Sequence, residues 1–258
     1  MNEMNKKRGQ VTIFIIIAIV VVGLIALFFL FSPQIRPLFD EGVTNPHAFI
    51  QNCLEEDIEN VVDELSLKGG EIEPESFYLY KGDKIRYLCY TNEYYQTCVV
   101  QESMLKESIE KEIKEAISLR IEECFDDLEE EYKKQGYDVD LNRGEISVEL
   151  LPKRIVTKID STLTLTKDTS KTYDSFMVVL NNNLYELIGV AKSILNYEST
   201  IGNMDVTMYM NYYRDLKVEK ITQDEGTKIY IITDRNNNNK FQFASRSIAW
   251  PAGYLNNE

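Results

Sequence analysis

A long apolar segment near the N-terminus constrains this chain more than any other feature. Residues 11–31 are apolar apart from Thr12 and Gly23, and they directly follow the basic cluster of residues 6–8. Twenty-one helical residues at about 1.5 Å each reach roughly 30 Å, which is the thickness of a bilayer's hydrocarbon core. The segment therefore predicts a helix over residues 11–32 that spans a membrane and contacts the lipid bilayer.

The charges beside this segment predict its orientation. By the positive-inside rule, Lys6, Lys7 and Arg8 favour a cytoplasmic position for the N-terminal tail, residues 1–10. The rest of the chain, from the helix-breaking Pro33 onward, is then expected outside the cytoplasm. A cleaved secretory signal has an apolar core of about 7 to 15 residues, which is shorter than this one. We therefore expect a single-pass protein of the cell membrane with an exported C-terminal domain.

The charge of the exported part excludes a general nucleic-acid binder. The whole chain has 28 basic and 42 acidic residues, and its first ten residues hold three of the former and one of the latter. Residues 11–258 therefore hold 25 basic and 41 acidic residues, a net charge of −16. Nucleic-acid binding needs a basic face that neutralises phosphates, and the sequence contains no stripe of lysine and arginine.

The junction before the apolar segment has a recognisable pattern. Residues 7–12, Lys-Arg-Gly-Gln-Val-Thr, resemble the class III signal of archaeal type IV pilin-like proteins. The resemblance implies cleavage by a prepilin peptidase between Gly9 and Gln10, after which the apolar helix stays on the mature protein and is available for self-assembly. The fifth position after the glycine is Phe14 rather than an acidic residue, and archaeal relatives often lack an acidic residue there. A polar junction before a plain signal anchor is the alternative.

The cysteines indicate an oxidising compartment. All four lie beyond the apolar segment, and an even number is most simply interpreted as two disulfides. Cys89 and Cys98 flank a turn centred between residues 93 and 94, so a β-hairpin would place them directly opposite each other. Cys53 and Cys124 remain, on the apolar faces of two helices, and we expect them to pair. Zinc is the alternative, but no Cys-x-x-Cys motif occurs.

Hydrophobic periodicity predicts an α+β ectodomain after a stalk at residues 33–45. Helical spacing indicates one helix from Pro46 to about Leu67, a longer one from Leu105 to Tyr132, and a third over residues 184–195. Alternation indicates strands within 72–100, 146–165 and 176–180, and later at 218–221, 228–233 and 240–244. Residues 206–213 are expected to form a fourth helix. We divide the ectodomain into a helix-hairpin-helix part, 46–140, and a β-rich part, 141–258.

Several of these features occur together in one group of proteins. The chain has Gly9 to Thr12, a helix that contains Cys53 and ends at Gly69-Gly70, an acidic helix with Cys124, and the strand Phe241 to Ala244. In this combination it resembles a group of membrane-anchored envelope proteins from small-genome archaea. The resemblance implies a shared architecture and an envelope location, but it supplies no reaction.

The sequence offers little for catalysis or metal binding. His47 is the only histidine and lies just inside a predicted helix N-terminus, where a surface role is typical. The acidic run at 122–131 lacks the Glu-x-x-His pair of helical carboxylate metal sites. Asp234, Asn236 and Asn238 have the spacing of the first calcium ligands, but the rest of that loop does not fit. We therefore predict no enzyme, and no catalytic, cofactor or metal residues.

Three classes of function remain open. The first is a cell-surface binding or adhesion module with a protein or glycan ligand. Clustered tyrosines at residues 87–95 and 209–230 are compatible with a sugar-stacking surface, although half-buried packing in strands explains them as well. The second class is a pilin-like structural subunit processed after Gly9. The third is an exported enzyme whose active site the sequence does not reveal.

Overall fold

The computed structural model describes Val21 and residues 45–247. The basic tail, the stalk up to residue 44, the processing site Gly9-Gln10 and, apart from Val21, the predicted membrane helix lie outside the described residues. Among the helices that are described, none is long and apolar enough to cross a membrane. The described residues from 45 onward belong to one compact unit.

The described chain combines helices and strands in mixed order, in agreement with the predicted α+β class. The helices are α1 (Pro46–Leu67), α2 (Leu105–Lys134), α3 (Leu184–Thr200) and α4 (Thr207–Tyr212). The strands are β1 (Phe77–Tyr80), β2 (Asp83–Tyr90), β3 (Val99–Val100), β4 (Asp138–Asn142), β5 (Ile146–Leu151), β6 (Arg154–Ile159), β7 (Thr162–Thr166), β8 (Ser170–Tyr173), β9 (Phe176–Leu180), β10 (Leu216–Thr222), β11 (Thr227–Asp234) and β12 (Lys240–Arg246).

Helices α1 and α2 pack against each other along their apolar faces. Asn45 caps α1, because its side-chain oxygen accepts a hydrogen bond from the backbone N–H of His47 at 3.0 Å. The helix ends before Gly69 and Gly70, which both have positive φ. A Cβ at Gly69 would lie 2.8 Å from the Cβ of Arg86, so the close approach of β2 also requires glycine there.

Both predicted disulfides are present. Cys53 and Cys124 join α1 to α2, with a Cα–Cα distance of 6.1 Å and a sequence separation of 71 residues. Cys89 and Cys98 are joined over a separation of nine residues. The first bond connects the two longest described helices, and the second closes the loop between β2 and β3.

The largest sheet has strand order β1-β2-β12-β11-β10, and β3 also pairs with β2. Its neighbouring strands are antiparallel except for β2 and β12, which are parallel. One face bears buried aromatic and aliphatic residues and packs on α1 and α3. The predicted hairpin of β11 and β12 is confirmed, with Ile232 opposite Phe241.

Two smaller antiparallel sheets complete the fold, with orders β4-β7-β8 and β5-β6-β9. Helix α2 contacts β4 and β5, while α1 contacts β9. The parts 46–140 and 141–258 therefore share one hydrophobic core, and β2 of the first part pairs with β12 of the second.

The predicted position of the turn between β2 and β3 is wrong. Cys89 pairs with Val100 rather than facing Cys98, so the ladder is displaced by two residues from the expected register. The connection is a wide loop, because Glu93 N bonds the Thr91 hydroxyl and Tyr95 adopts a left-handed conformation. The disulfide therefore joins Cys89 to a residue of this loop.

Candidate functional site

The strongest candidate for a binding site begins at the C-terminal end of α2. Gly136 has φ +82°, its N–H bonds the carbonyl of Lys133, and the N–H of Tyr137 bonds the carbonyl of Tyr132. This pair of bonds is a Schellman motif, in which the residue after the glycine contacts a residue of the last helical turn. Accordingly, the rings of Tyr132 and Tyr137 meet edge to face, with centroids 5.5 Å apart.

The β7–β8 hairpin supplies the opposite wall. Leu165 faces Lys171 across this hairpin, and Leu163 faces Tyr173. Residues directly opposite each other on antiparallel strands project from the same face, so Lys171 and Tyr173 share a face with two buried leucines. The ring of His47, from the first turn of α1, packs against Tyr173 at 5.5 Å.

Together these elements border an open pocket of about 300 Å³, which we call the tyrosine pocket. Its walls combine three aromatic rings with an amide, a hydroxyl, an ammonium and one aliphatic side chain. The lining residues are Tyr132, Gln135, Tyr137, Leu165, Thr169, Lys171 and Tyr173.

A buried polar atom at the wall of this pocket lacks a hydrogen-bond partner. Gln135 Nε2 is shielded from solvent, so it does not open onto the pocket, and it has no acceptor among the described residues. An unpaired buried amide costs free energy. Thr157 Oγ1 and Ser247 Oγ share this condition, but neither lines the tyrosine pocket.

The charged groups at the tyrosine pocket are basic. Lys171 Nζ lies 4.8 Å from the ring centroid of Tyr173. At the pocket's edge, Lys167 Nζ lies 5.2 Å from the ring centroid of Tyr137 and donates a hydrogen bond to the backbone carbonyl of Gln135 at 2.8 Å. Within the described residues, neither lysine forms an ion pair. Burial raises the pKa of the Tyr132 phenol to about 12, with smaller contributions from the two neighbouring tyrosines, so its hydroxyl stays protonated at neutral pH.

A second polar cluster is fully buried beneath the largest sheet, and we call it the Glu198 network. Glu198 Oε1 accepts hydrogen bonds from the Tyr230 hydroxyl at 2.5 Å and from Met204 N at 2.9 Å. Its Oε2 accepts from Lys228 Nζ at 2.7 Å and from the Ser245 hydroxyl at 3.2 Å. Every side chain of this network has its partners.

Burial dominates the ionisation of the Glu198 network. It lowers the pKa of the Lys228 ammonium, while the Glu198 carboxylate opposes that change. It also raises the pKa of the Tyr230 phenol well above its ordinary value, and Glu198 adds to the increase. A perturbed pKa can mark an active site, but none of the three described grooves is lined by a side chain of this network.

Two further grooves lie on the outer faces of sheets. The larger, about 560 Å³, lies over β10, β11 and β12, and Lys217 there is paired with Glu219 at 2.8 Å. The other, about 300 Å³, lies over β5, β6 and β9 and includes Met177, which is half exposed. Neither groove is lined by more than one aromatic ring. We therefore favour the tyrosine pocket as the candidate site.

The residues singled out in the sequence do not converge on one site. His47 is on the surface, where it packs against Tyr173 and Phe176. The acidic run of α2 is largely exposed, and several of its carboxylates pair with basic residues of the same helix. In the described part of the chain, no group of three or more His, Cys, Asp or Glu side chains is arranged to hold a metal ion.

The loop after β11 is a hydrogen-bonded turn. Asp234 Oδ1 accepts from Asn236 N at 2.8 Å, and Asp234 Oδ2 accepts from Asn183 Nδ2 at 2.6 Å. Asn183 Oδ1 in turn accepts from the side chains of Asn237 and Asn239. These bonds explain the run of asparagines by the geometry of the turn and its contact with the start of α3.

The clustered tyrosines are distributed between core and surface. Tyr230 is fully buried in the Glu198 network, and Tyr87 bonds the buried hydroxyl of Thr227 at 3.0 Å. Tyr94, Tyr95 and Tyr212 are exposed. The tyrosines of the pocket are different ones, and helical periodicity predicted only that Tyr132 lies on the apolar face of α2. The sequence Tyr-x-x-Gln-Gly-Tyr at 132–137 was the available signal, because it fits a Schellman motif.

Comparison with known proteins gives no match among protein families, curated proteins or solved structures. The assignment of a function therefore rests on the residues and the geometry described above.

Proposed function

We propose that the protein is a single-pass, membrane-anchored, extracytoplasmic binding module that takes a ligand at the cell surface through the tyrosine pocket. The observation that carries the proposal is a pocket lined by three tyrosine rings together with Lys171, which forms no ion pair among the described residues. Ligand sites typically combine apolar walls with a few converging polar groups, and this pocket has that composition.

The location is supported by the sequence and by the disulfides. Residues 11–32 have the length and hydrophobicity of a membrane span, with basic residues on the proposed cytoplasmic side. All four cysteines are paired, and stable disulfides are typical of proteins outside the cytoplasm. The proposal includes no catalytic residue and no cofactor.

Protease treatment of intact cells tests the location. Because the basic tail is proposed to stay inside, added protease should reach the chain beyond about Pro33 once the ectodomain is loosened by a reducing agent. A cytoplasmic protein of the same cells serves as the control for leakage. Survival of the C-terminal domain under conditions that digest other surface proteins would contradict the proposed topology.

Binding to an array of glycans and peptides tests the pocket. The full-length protein in lipid nanodiscs should retain one ligand class, and Tyr137→Ala should abolish that binding because it removes a wall of the pocket. Tyr212→Ala is the matched control, since Tyr212 is 82% exposed outside the pocket. Equal binding by both variants, or no binding by the wild type, would count against the proposed function.

A pilin-like structural subunit is the second candidate, favoured by the pattern at residues 7–12. Cleavage after Gly9 would remove the charges that hold the tail in the cytoplasm and leave a helix free to bundle. The native protein would then begin at Gln10, and Gly9→Val would block processing and any filament. An N-terminus at Met1 or Asn2, with normal cells bearing Gly9→Val, would identify a plain signal anchor.

A further inference from the structure

The free edge of β1, at the end of the largest sheet, is an interaction surface for a second copy of this chain. We propose that two copies pair along this edge, with β1 of one copy antiparallel to β1 of the other, so that their largest sheets become one continuous sheet. No residue of β1 lines the tyrosine pocket. The proposal therefore goes beyond ligand binding and concerns how the protein assembles.

The backbone of β1 leaves hydrogen-bonding groups free at this edge. Ser76 O accepts a hydrogen bond from Tyr87 N of β2 at 2.9 Å. Because backbone groups alternate sides along a strand, every second residue from Ser76 onward bonds β2, while Phe77 and Leu79 direct their N–H and C=O groups away from it. Among the described residues, nothing bonds these edge groups. Such groups are a template for pairing with another chain.

The other edge strands of four or more residues are protected. At β9, the Gln51 side chain bonds Val179 N and Val179 O at 3.1 and 3.3 Å, and at β5 the Glu110 carboxylate accepts from Leu150 N at 2.7 Å. Strands β4, β8 and β10 contain charged side chains, which natural sheets use to prevent edge pairing. Strand β1 reads Phe-Tyr-Leu-Tyr, with no charge and no proline. It is the one such edge without protection in the part of the chain that the structure describes.

A second copy matches this edge in register. When Phe77 of one copy lies opposite Leu79 of the other, twofold symmetry creates the reciprocal pair. Each pair exchanges two N–H to C=O bonds, so the eight free groups of the two copies form four hydrogen bonds. The interface uses the same patch on both subunits, and it closes at two copies.

The side chains of β1 fit the same register. Phe77 and Leu79 are 39% and 64% exposed, and in the pair each packs against the other across the interface. On the opposite face, Tyr78 meets Tyr78 of the second copy. Aromatic and aliphatic pairs across antiparallel strands stabilise sheets, and here they also remove apolar surface from water.

Charges at the two ends of β1 favour a second copy over another partner. Lys81 and Glu75 are exposed, and neither forms an ion pair within the described residues. Each lies two residues beyond the pairs of Phe77 with Leu79, so Lys81 of one copy lies opposite Glu75 of the other, twice over. Complementary charges of this kind fix register and partner choice. Repulsion between two chains of net charge −14 is screened beyond about 10 Å at 0.1 M salt, whereas these pairs are direct contacts.

Cysteine cross-linking of the full-length protein in membranes of the expressing cells tests the pairing. Tyr78→Cys places two thiols in a non-hydrogen-bonded pair, where Cα atoms lie about 4.5 Å apart and a disulfide fits. The four native cysteines are already paired, so the new thiol has no partner within its own chain. Oxidation with copper phenanthroline should give a covalent dimer. Phe77→Cys is the matched control, because its two Cα atoms would be about 7 to 8 Å apart, and it should stay monomeric.

Mixing two exposed positions tests the register without altering the packed Tyr78. Co-expressed Phe77→Cys and Leu79→Cys chains should cross-link to each other, since directly opposite Cα atoms of a hydrogen-bonded pair are about 5.5 Å apart, while neither should cross-link to itself. Absence of a dimer in both designs would overturn the proposal. Cross-linking of Phe77→Cys to itself, or of these cysteines to a different protein, would likewise refute the proposed contact.

A proline at the free edge separates pairing between copies from folding. Leu79→Pro removes an N–H that points away from β2, so it deletes two of the four bonds between copies and none within the sheet. Energy transfer between labelled full-length copies in liposomes should then need at least about tenfold more protein per lipid to reach half its maximum. Leu79→Val keeps the N–H and should resemble the wild type. Equal transfer by the proline and valine variants would overturn the proposal.

Discussion

The Glu198 network and the tyrosine pocket contain similar chemical groups, but within the described residues these groups have hydrogen-bond partners in the network and lack them at the pocket. Both combine lysine, tyrosine and an amide or carboxylate side chain. In the network, Glu198 is fully buried and bonds four protein donors. At the wall of the pocket, Gln135 Nε2 is buried without an acceptor among the described residues, and Lys171 is exposed without an ion pair in that same part of the chain.

The difference distinguishes polar groups that stabilise the fold from polar groups that have no partner in the protein. A buried polar group whose partners all come from the protein rigidifies the fold, and removing one partner leaves an unpaired charge. A buried donor without a partner costs free energy in the folded protein, so removing it should not destabilise the fold. The comparison predicts large stability effects in the network and small ones in the pocket.

The largest expected effect is in the Glu198 network. Lys228→Met leaves the Glu198 carboxylate buried without its ammonium, so the free energy of unfolding should fall by about 3 to 5 kcal/mol. Chemical denaturation of the full-length protein measures the loss. Lys217→Met is the control, because its ion pair with Glu219 is exposed to solvent and should contribute less than about 1 kcal/mol. A small loss for Lys228→Met would mean that the network does not stabilise the fold.

The two disulfides should differ in their contributions. Replacing Cys53 and Cys124 by alanine opens a loop of 71 residues and should cost about 4 kcal/mol, whereas the nine-residue loop of Cys89 and Cys98 predicts about 2.5 kcal/mol. Cys98 Sγ also contacts the Ser245 hydroxyl of the network at 3.6 Å, while no disulfide lines the pocket. We therefore expect the folded Cys89/Cys98 double variant to retain ligand binding at the tyrosine pocket. Loss of that binding would show that the network and the pocket are not independent.

The third largest effect is expected at alkaline pH, through the phenol of Tyr132 in the tyrosine pocket. The pKa of Tyr132 is raised from 10 to about 12, so above pH 10 the unfolded chain releases this proton before the folded protein does. Stability from this group is therefore present below pH 10 and is lost as the pH rises toward 12, by up to about 3 kcal/mol. Tyr132→Phe should show a smaller loss over this range in denaturation experiments. If the free energy of unfolding depended on pH equally in Tyr132→Phe and in the wild type, the burial of the Tyr132 phenol would be contradicted.

The smallest effect is expected at Gln135. Gln135→Met removes an unpaired buried amide and keeps a similar volume, so stability should change by less than about 1 kcal/mol and in the favourable direction. Thermal denaturation compares this variant with Glu198→Gln, which changes the network. A loss above about 2 kcal/mol in Gln135→Met would show that the amide has a structural partner and would remove the distinction between the two clusters.

Local patterns predicted the helices and the last hairpin well. The spacing of Ile50, Leu54 and Ile58 in α1 and the alternation in β11 are signals within one element, and burial follows them closely. Strands β4 and β8 were not predicted, because polar residues dominate both and pairing with β7 determines their structure. The parallel pairing of β2 with β12 joins distant segments and has no local signal.

The candidate site was less predictable for the same reason. The tyrosine pocket combines the end of α2 with a hairpin about 35 residues later, and this arrangement depends on the pairing of β4 with β7. The Glu198 network had a clearer signal. Glu198 lies three residues after Leu195 and so continues the apolar face of α3, and Lys228 alternates with the inward-facing Tyr230.

Side-chain NMR tests the central claim most directly. In the full-length protein in nanodiscs, the ring resonances of Tyr137 are assigned by their disappearance in Tyr137→Phe. Addition of the ligand that the protein retains on the array of glycans and peptides should shift these resonances, because the ring forms a wall of the tyrosine pocket, while the resonance of the Gln242 amide in the larger groove should stay unchanged. A shift at Gln242 with none at Tyr137 would contradict the assignment of the tyrosine pocket as the binding site.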